Sequence, residues 1–96
     1  MHVILWRFRA VPGREAEFEA AFGDDGMWVR LFRTAQGFLG SELMRGTDGM
    51  YLTIDRWVSE DAYRAFRDAQ AEAYAAVDAH GEALTIEETL IGAIEA

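Results

Sequence analysis

The first apolar run of the chain, His2 to Arg9 (HVILWRFR), constrains the fold more than any other segment. It is dense in β-branched and aromatic residues and reads as a strand, with Val3 and Leu5 on one side and Ile4, Trp6 and Phe8 on the other. A strand that is apolar on both faces needs cover on both. A chain of 96 residues has little core to spare for that. Of its apolar residues 16 are Ala, so packing volume falls largely to twelve aromatics: three Trp, three Tyr and six Phe. Oligomerisation is the expected remedy.

Pro12-Gly13 ends the strand, and from Arg14 the pattern turns helical, with Phe18, Ala21 and Phe22 on one stripe and Glu15, Glu17 and Glu19 at the end where the helix dipole favours negative charge. Gly23-Asp24-Asp25-Gly26 breaks it. A second short helix fits Met27 to Ala35, because Trp28, Leu31, Phe32 and Ala35 follow helical spacing, and Gly37 closes it. Phe38 to Arg45 and Met50 to Trp57 read as strands joined by Gly46-Thr47-Asp48-Gly49, a hairpin signal. The second of these alternates, with Met50, Leu52 and Ile54 on one face and Tyr51, Thr53, Asp55 and Trp57 on the other. That mixed face suits a cavity or an interface. Ser59-Glu60-Asp61 caps the longest helix, which runs to about Ala79 with Tyr63, Phe66, Gln70, Ala73 and Val77 on one stripe and ends at Gly81. Thr85 to Glu88 has the form of a capping box, and Thr89 to Glu95 reads as the last strand.

The order strand, helix, strand, strand, helix, strand is the ferredoxin-like split pattern. The expected fold is therefore α+β, βαββαβ, a single domain over residues 1–96 with a four-stranded antiparallel sheet and helices on one face. The face left open is apolar, and a second copy packed sheet to sheet covers it, giving a homodimer.

Absences narrow the chemistry. With no Cys the chain has no thiol nucleophile, thiolate metal site or disulfide, and with no Lys it has neither Schiff-base chemistry nor a Walker-type phosphate lysine. It has no Asn, and neither Ser41 nor Ser59 sits in a nucleophile turn. The net charge of −8 lies mostly in residues 49–96, where ten acids face three Arg. Such a field disfavours nucleic acid and anionic membrane surfaces. No membrane span or leader pattern is seen, and a cytoplasmic location is expected.

Several stretches carry a family resemblance. Pro12-Gly13-Arg14-Glu15 leading into Phe18, then Gly37-Phe38-Leu39-Gly40-Ser41-Glu42-Leu43, then Asp55-Arg56-Trp57 before Ser59, resemble the antibiotic biosynthesis monooxygenase family of dimeric α+β barrels. Ala62-Tyr63-x-x-Phe66, Tyr74, Asp78, Leu84-Thr85 and Gly92 resemble a subset of its short bacterial members. The resemblance implies one of two chemistries. In one, phenols or anthrones are oxidised to quinones without metal, flavin or other cofactor, the substrate anion itself passing electrons to oxygen in a dry pocket. In the other, haem is bound and degraded with an Asn, a Trp and an axial His. This chain lacks Asn, has Phe66 at the Trp position, and has Ala75-Ala76 near the His position. Haem degradation is therefore not expected, and no cofactor is.

The candidate bases are His80 and Asp55. His80 falls in the last turn of the long helix, where the alternative is a surface imidazole beside the negative dipole end. Asp55, like Glu42, falls in a strand, where burial raises a carboxyl pKa and allows it to take a phenolic proton; the alternative is an ion pair with Arg7, Arg45 or Arg56. Glu88 is ambiguous in the same way, and His2 is a weaker candidate. Tyr63, Phe66 and Tyr74, with Trp6 and Tyr51, are the candidate substrate-binding residues, because a buried phenol needs a partner and can orient a phenolic ligand. Phe18, Phe22 and Phe38 read as core. No spacing suggests a metal site. The functional expectation is a cofactor-independent, monooxygenase-like enzyme for a small aromatic or quinol substrate; the alternative is a non-catalytic binding or regulatory dimer of the same fold.

Overall fold

The computed structural model describes Met1–Ala96. The elements are β1 (His2–Ala10), α1 (Glu15–Phe22), α2 (Met27–Phe32), β2 (Phe38–Arg45), β3 (Tyr51–Trp57), α3 (Glu60–Ala69), α4 (Ala71–Glu82) and β4 (Thr85–Glu95). The strands form one antiparallel sheet in the order β2-β3-β1-β4. This is the ferredoxin-like α+β fold read from the sequence. β1 is a central strand whose Ile4, Trp6 and Phe8 lie under the helices, while Val3 and Leu5 belong to the face turned away from them.

The alternation of β3 sorts its side chains cleanly: Tyr51, Thr53, Asp55 and Trp57 are buried, and the residues between them are half-buried. The buried set faces the helices together with Ile4, Trp6 and Phe8 of β1, which the register places beside Asp55, Thr53 and Tyr51. Two aromatic clusters fill the space above. One joins Phe8, Phe18, Phe22, Tyr51 and Leu84; the other joins Ile4, Phe32, Trp57 and Phe66. Each fully buried phenylalanine contributes about 1.5–3 kcal/mol. The two clusters do not merge completely, and the gap between them is the cavity described below.

Four boundaries differ from the sequence reading. The long helix is broken at Gln70 (φ −114°, ψ 26°), whose N–H still bonds the Phe66 carbonyl while its own carbonyl accepts from Tyr74 N–H at 2.8 Å. The break redirects the chain, so that Phe66 packs on Trp57 while the Ala-rich half lies against α2. Gly81 does not end the helix but lies inside α4, where an added Cβ would stand 3.1 Å from Phe22 Cζ. Its role is close approach, not termination. α2 stops at Phe32, and Thr34 and Ala35 close turns instead of continuing the stripe. The last strand begins at Thr85, because residues 85–88 pair with β1 and do not cap a helix. A bulge interrupts this pairing between Leu5 and Trp6, which face Gly92 and Leu90; Ile91 is the extra residue, and Gly92 takes φ +154°.

β4 is an edge strand of 11 residues. Ile86, Leu90, Ile91 and Ile94 along it are each more than half exposed, and Met44 on β2 is 43% exposed. No helix is long and apolar enough to cross a membrane.

Candidate functional site

A cavity of about 40 Å³ lies between the sheet and the helices. Its floor comes from Ile4, Trp6 and Phe8 on β1, Thr53 and Asp55 on β3, and Ser41 on β2. Phe22, Trp28, Phe32, Tyr63 and Tyr74 form its aromatic walls, and Gly81 lets the backbone of α4 approach. Asp78 and Glu82 of α4 and Glu88 of β4 stand at the mouth. No Arg or His lines it.

Asp55 is the polar centre of the floor. It is 8% exposed, and its Oδ1 accepts a 2.6 Å hydrogen bond from the Ser41 hydroxyl, its direct neighbour across the β2–β3 ladder. Burial pushes its pKa up to about 6, with the Ser41 bond acting in the opposite direction. No arginine pairs with it; Arg56 pairs instead with Glu42, and Arg45 with Glu19. The ion-pair alternative for Asp55 is thus absent. Strand alternation explains this, since a residue and its chain neighbour point to opposite faces.

Tyr63 and Tyr74 share a wall. The Tyr63 hydroxyl accepts from Arg67 Nη1 at 3.0 Å, and the Arg67 guanidinium lies 3.8 Å from the Tyr74 ring centre. Burial raises the Tyr74 pKa, and the neighbouring Tyr63 raises it further, so its hydroxyl stays protonated as a donor. Trp28 meets Tyr74 edge-on at 4.9 Å, and its Nε1 is buried with no hydrogen-bond partner.

The structure brings Asp55, Trp6, Tyr63 and Tyr74 to one cavity and places the other sequence candidates elsewhere. His80 is on the exposed side of α4, outside the lining, because helical spacing turns it away from the Tyr74, Asp78 and Gly81 face. Phe66 stands behind the wall, 5.0 Å from the Trp57 ring. Tyr51 is fully buried at the other end of the sheet, 4.5 Å from the Phe18 ring, and its hydroxyl donates to Glu19 at 2.6 Å. His2 is buried, with Nδ1 2.7 Å from Glu95 Oε1.

Sequence reasoning missed Ser41 as the partner of Asp55 and Trp28 as a cavity residue. The Ser41 pairing follows only from register. Trp28 lies on an ordinary core stripe, and nothing in its spacing tells which side of its ring lacks a partner. Nor did spacing show that distant acids converge: Asp78, Glu82 and Glu88 place carboxylate oxygens within 4.8 Å of one another, and Glu60 and Glu95 bring theirs equally close to each other and to a ring nitrogen of His2.

A family model described as antibiotic biosynthesis monooxygenase matches residues 1–83, which covers β1 through α4. The chain belongs to this family. Among solved structures of the same fold, SnoaB from Streptomyces nogalater, a cofactor-independent oxygenase, is 25% identical with a TM-score of 0.73, covering 99% of this chain and 91% of that one. Rv0793 from Mycobacterium tuberculosis is 19% identical with a TM-score of 0.72, covering 99% and 96%. A variant of MhuD carrying two manganese protoporphyrin IX groups per active site is 22% identical with a TM-score of 0.71, covering 100% and 94%. The last two likenesses concern fold alone. No curated protein matches the sequence. No imidazole lines the cavity to hold a haem iron.

Proposed function

We propose that this member of the antibiotic biosynthesis monooxygenase family is a cofactor-independent oxygenase for a small phenolic or quinol substrate, with Asp55 as the base. The observation that carries the reading is Asp55 itself, a buried carboxyl without a cation partner, fixed by Ser41 at the floor of an aromatic cavity. A carboxylate held near pKa 6 is ionised at neutral pH yet basic enough to take a proton from an acidic phenol or anthrone. SnoaB, described as a cofactor-independent oxygenase, supports the same class.

Asp55 removes the proton, and the aromatic walls keep water from quenching the resulting anion. The anion gives its electrons to dioxygen. For an anthrone the balance is a CH₂ group and O₂ going to a ketone and water. Tyr74, kept protonated, donates to the oxygen on which negative charge develops. Trp6 and Tyr63 bound the ring of the substrate.

The apolar sheet face away from the helices, with Leu5, Leu52 and Ile54 half-buried and Met44 and Ile94 exposed, supports a homodimer packed sheet to sheet as part of this proposal. The decisive measurement is oxygen uptake with a panel of anthrones and hydroquinones. Turnover by the native chain that Asp55→Asn abolishes supports the reading. Ligand binding with no oxygen uptake across the panel would replace it with the non-catalytic binding dimer.

A further inference from the structure

Two indole N–H groups in this protein are buried without a hydrogen-bond partner, those of Trp57 and Trp28. Their surroundings differ. The Trp57 ring is fully buried among Phe32, Phe38, Tyr63 and Phe66 and is not part of the wall of this cavity. Trp28 is part of the cavity wall, beside Gly81, the one position where α4 leaves no side chain in front of it. A Cβ at position 81 would stand 3.5 Å from Trp28 Nε1. A buried donor without a partner costs free energy, and it recovers that cost when a ligand acceptor fills the space.

The mouth supplies the second half of the argument. Asp78, Glu82 and Glu88 crowd their carboxylates there, and no basic residue lines the cavity to balance them. Burial and the two neighbouring acids raise the Glu88 pKa, a sign that added negative charge is unwelcome at this point. Arg67, behind the tyrosine wall, offsets part of the charge of Asp78 but not of Glu82 and Glu88, so a ligand entering past them meets a net negative field.

Building on the oxygenase reading, we propose that Trp28 is the ligand-orienting donor of the cavity, that its indole N–H takes an acceptor oxygen of the aromatic substrate, and that the acidic mouth restricts that substrate to species without a carboxylate. The substrate class is then an uncharged phenol carrying a second oxygen, one oxygen directed to Asp55 and the other to Trp28.

Equilibrium binding tests this without turnover. Methyl para-hydroxybenzoate and para-hydroxybenzoate differ by one charge and little else at neutral pH, where the phenol of each stays protonated, and NMR titration at about pH 7 reads both affinities. The ester is expected to bind about tenfold or more tightly than the acid in the native protein. Trp28→Phe, which keeps an aromatic ring and removes the N–H, is expected to weaken the ester about tenfold. Gly81→Ala places a methyl group 3.5 Å from the indole nitrogen and 3.1 Å from Phe22 Cζ, and in protein whose NMR spectrum shows the fold intact it is expected to weaken the ester comparably. Asp78→Asn combined with Glu82→Gln narrows the gap between ester and acid. Equal affinity for acid and ester overturns the inference; so does ester affinity unchanged in folded Trp28→Phe and Gly81→Ala; so does failure of the native protein to bind the ester. Oxygen uptake has no part in this titration, so a protein that never turns over still passes or fails it. An active oxygenase indifferent to Trp28 would sink this inference alone.

Discussion

At the scale of single residues, Asp55 links stability to chemistry through one ionisation. Its carboxyl titrates near 6 in the folded protein and ordinarily near 3.8. Because the folded pKa is raised, the folded state holds the proton more tightly than the unfolded one. Asp55 therefore favours folding least above pH 6. Stability falls as pH rises from about 4 through about 6 and then levels, by roughly 3 kcal/mol for this group. Asp55→Asn keeps an acceptor for Ser41 and removes the charge, so urea denaturation above pH 7 is expected to show a gain of about 2–3 kcal/mol, with the gain vanishing near pH 4. Activity moves the other way. The same substitution is expected to lower kcat by about 10²–10⁴, and native kcat/KM rises with pH to a plateau above about 6. The alternation of β3 made Asp55 a candidate from sequence. Its freedom from arginine and its bond to Ser41 came from sheet register, which no local pattern encodes.

At the scale of elements, the start of the long helix was more legible than its break or its end. The Ser59 side chain accepts from Ala62 N–H at 3.0 Å, as its position before two acids implies. Ser59→Ala is expected to cost about 1 kcal/mol. Thermal melting at fixed protein concentration, compared with the native chain, checks it. The break at Gln70 was not legible, because Ala69 to Ala73 is favourable helical sequence with no Gly or Pro. Tertiary contact won there: Phe66 belongs over Trp57, whereas Tyr74 and Gly81 belong against Trp28, and one straight helix does not serve both. Gly81 misled for a related reason. Glycine ends helices and also admits close neighbours, and only the position of Phe22 tells which is at work.

At the scale of the whole molecule, the proposed dimer is a matter of uncovered area. On the sheet face away from the helices Leu5, Leu52 and Ile54 are only half-buried, and Met44 and Ile94 are 43% and 56% exposed. Light scattering at micromolar concentration is expected to give about twice the chain mass of 10.8 kDa. A mass near that of one chain would refute the dimer. Leu52→Asp with Ile94→Asp is expected to shift the protein to monomer and to lower its stability in the same urea titration, because charge on the sheet face to be buried leaves an unpaired group there.

The sequence by itself determined the α+β order of elements, the antiparallel sheet and its two-faced first strand. Apolar periodicity and turn residues are local properties, and each reports on its own segment. It also carried enough family signal for the fold to be recognised from short motifs. Tertiary structure alone decided which residues share the cavity. Asp55, Ser41, Trp28, Tyr74 and the three acids at the mouth come from five elements. Their convergence depends on strand register, on the break at Gln70 and on the approach allowed by Gly81. Each of these is set by packing between segments far apart in the chain.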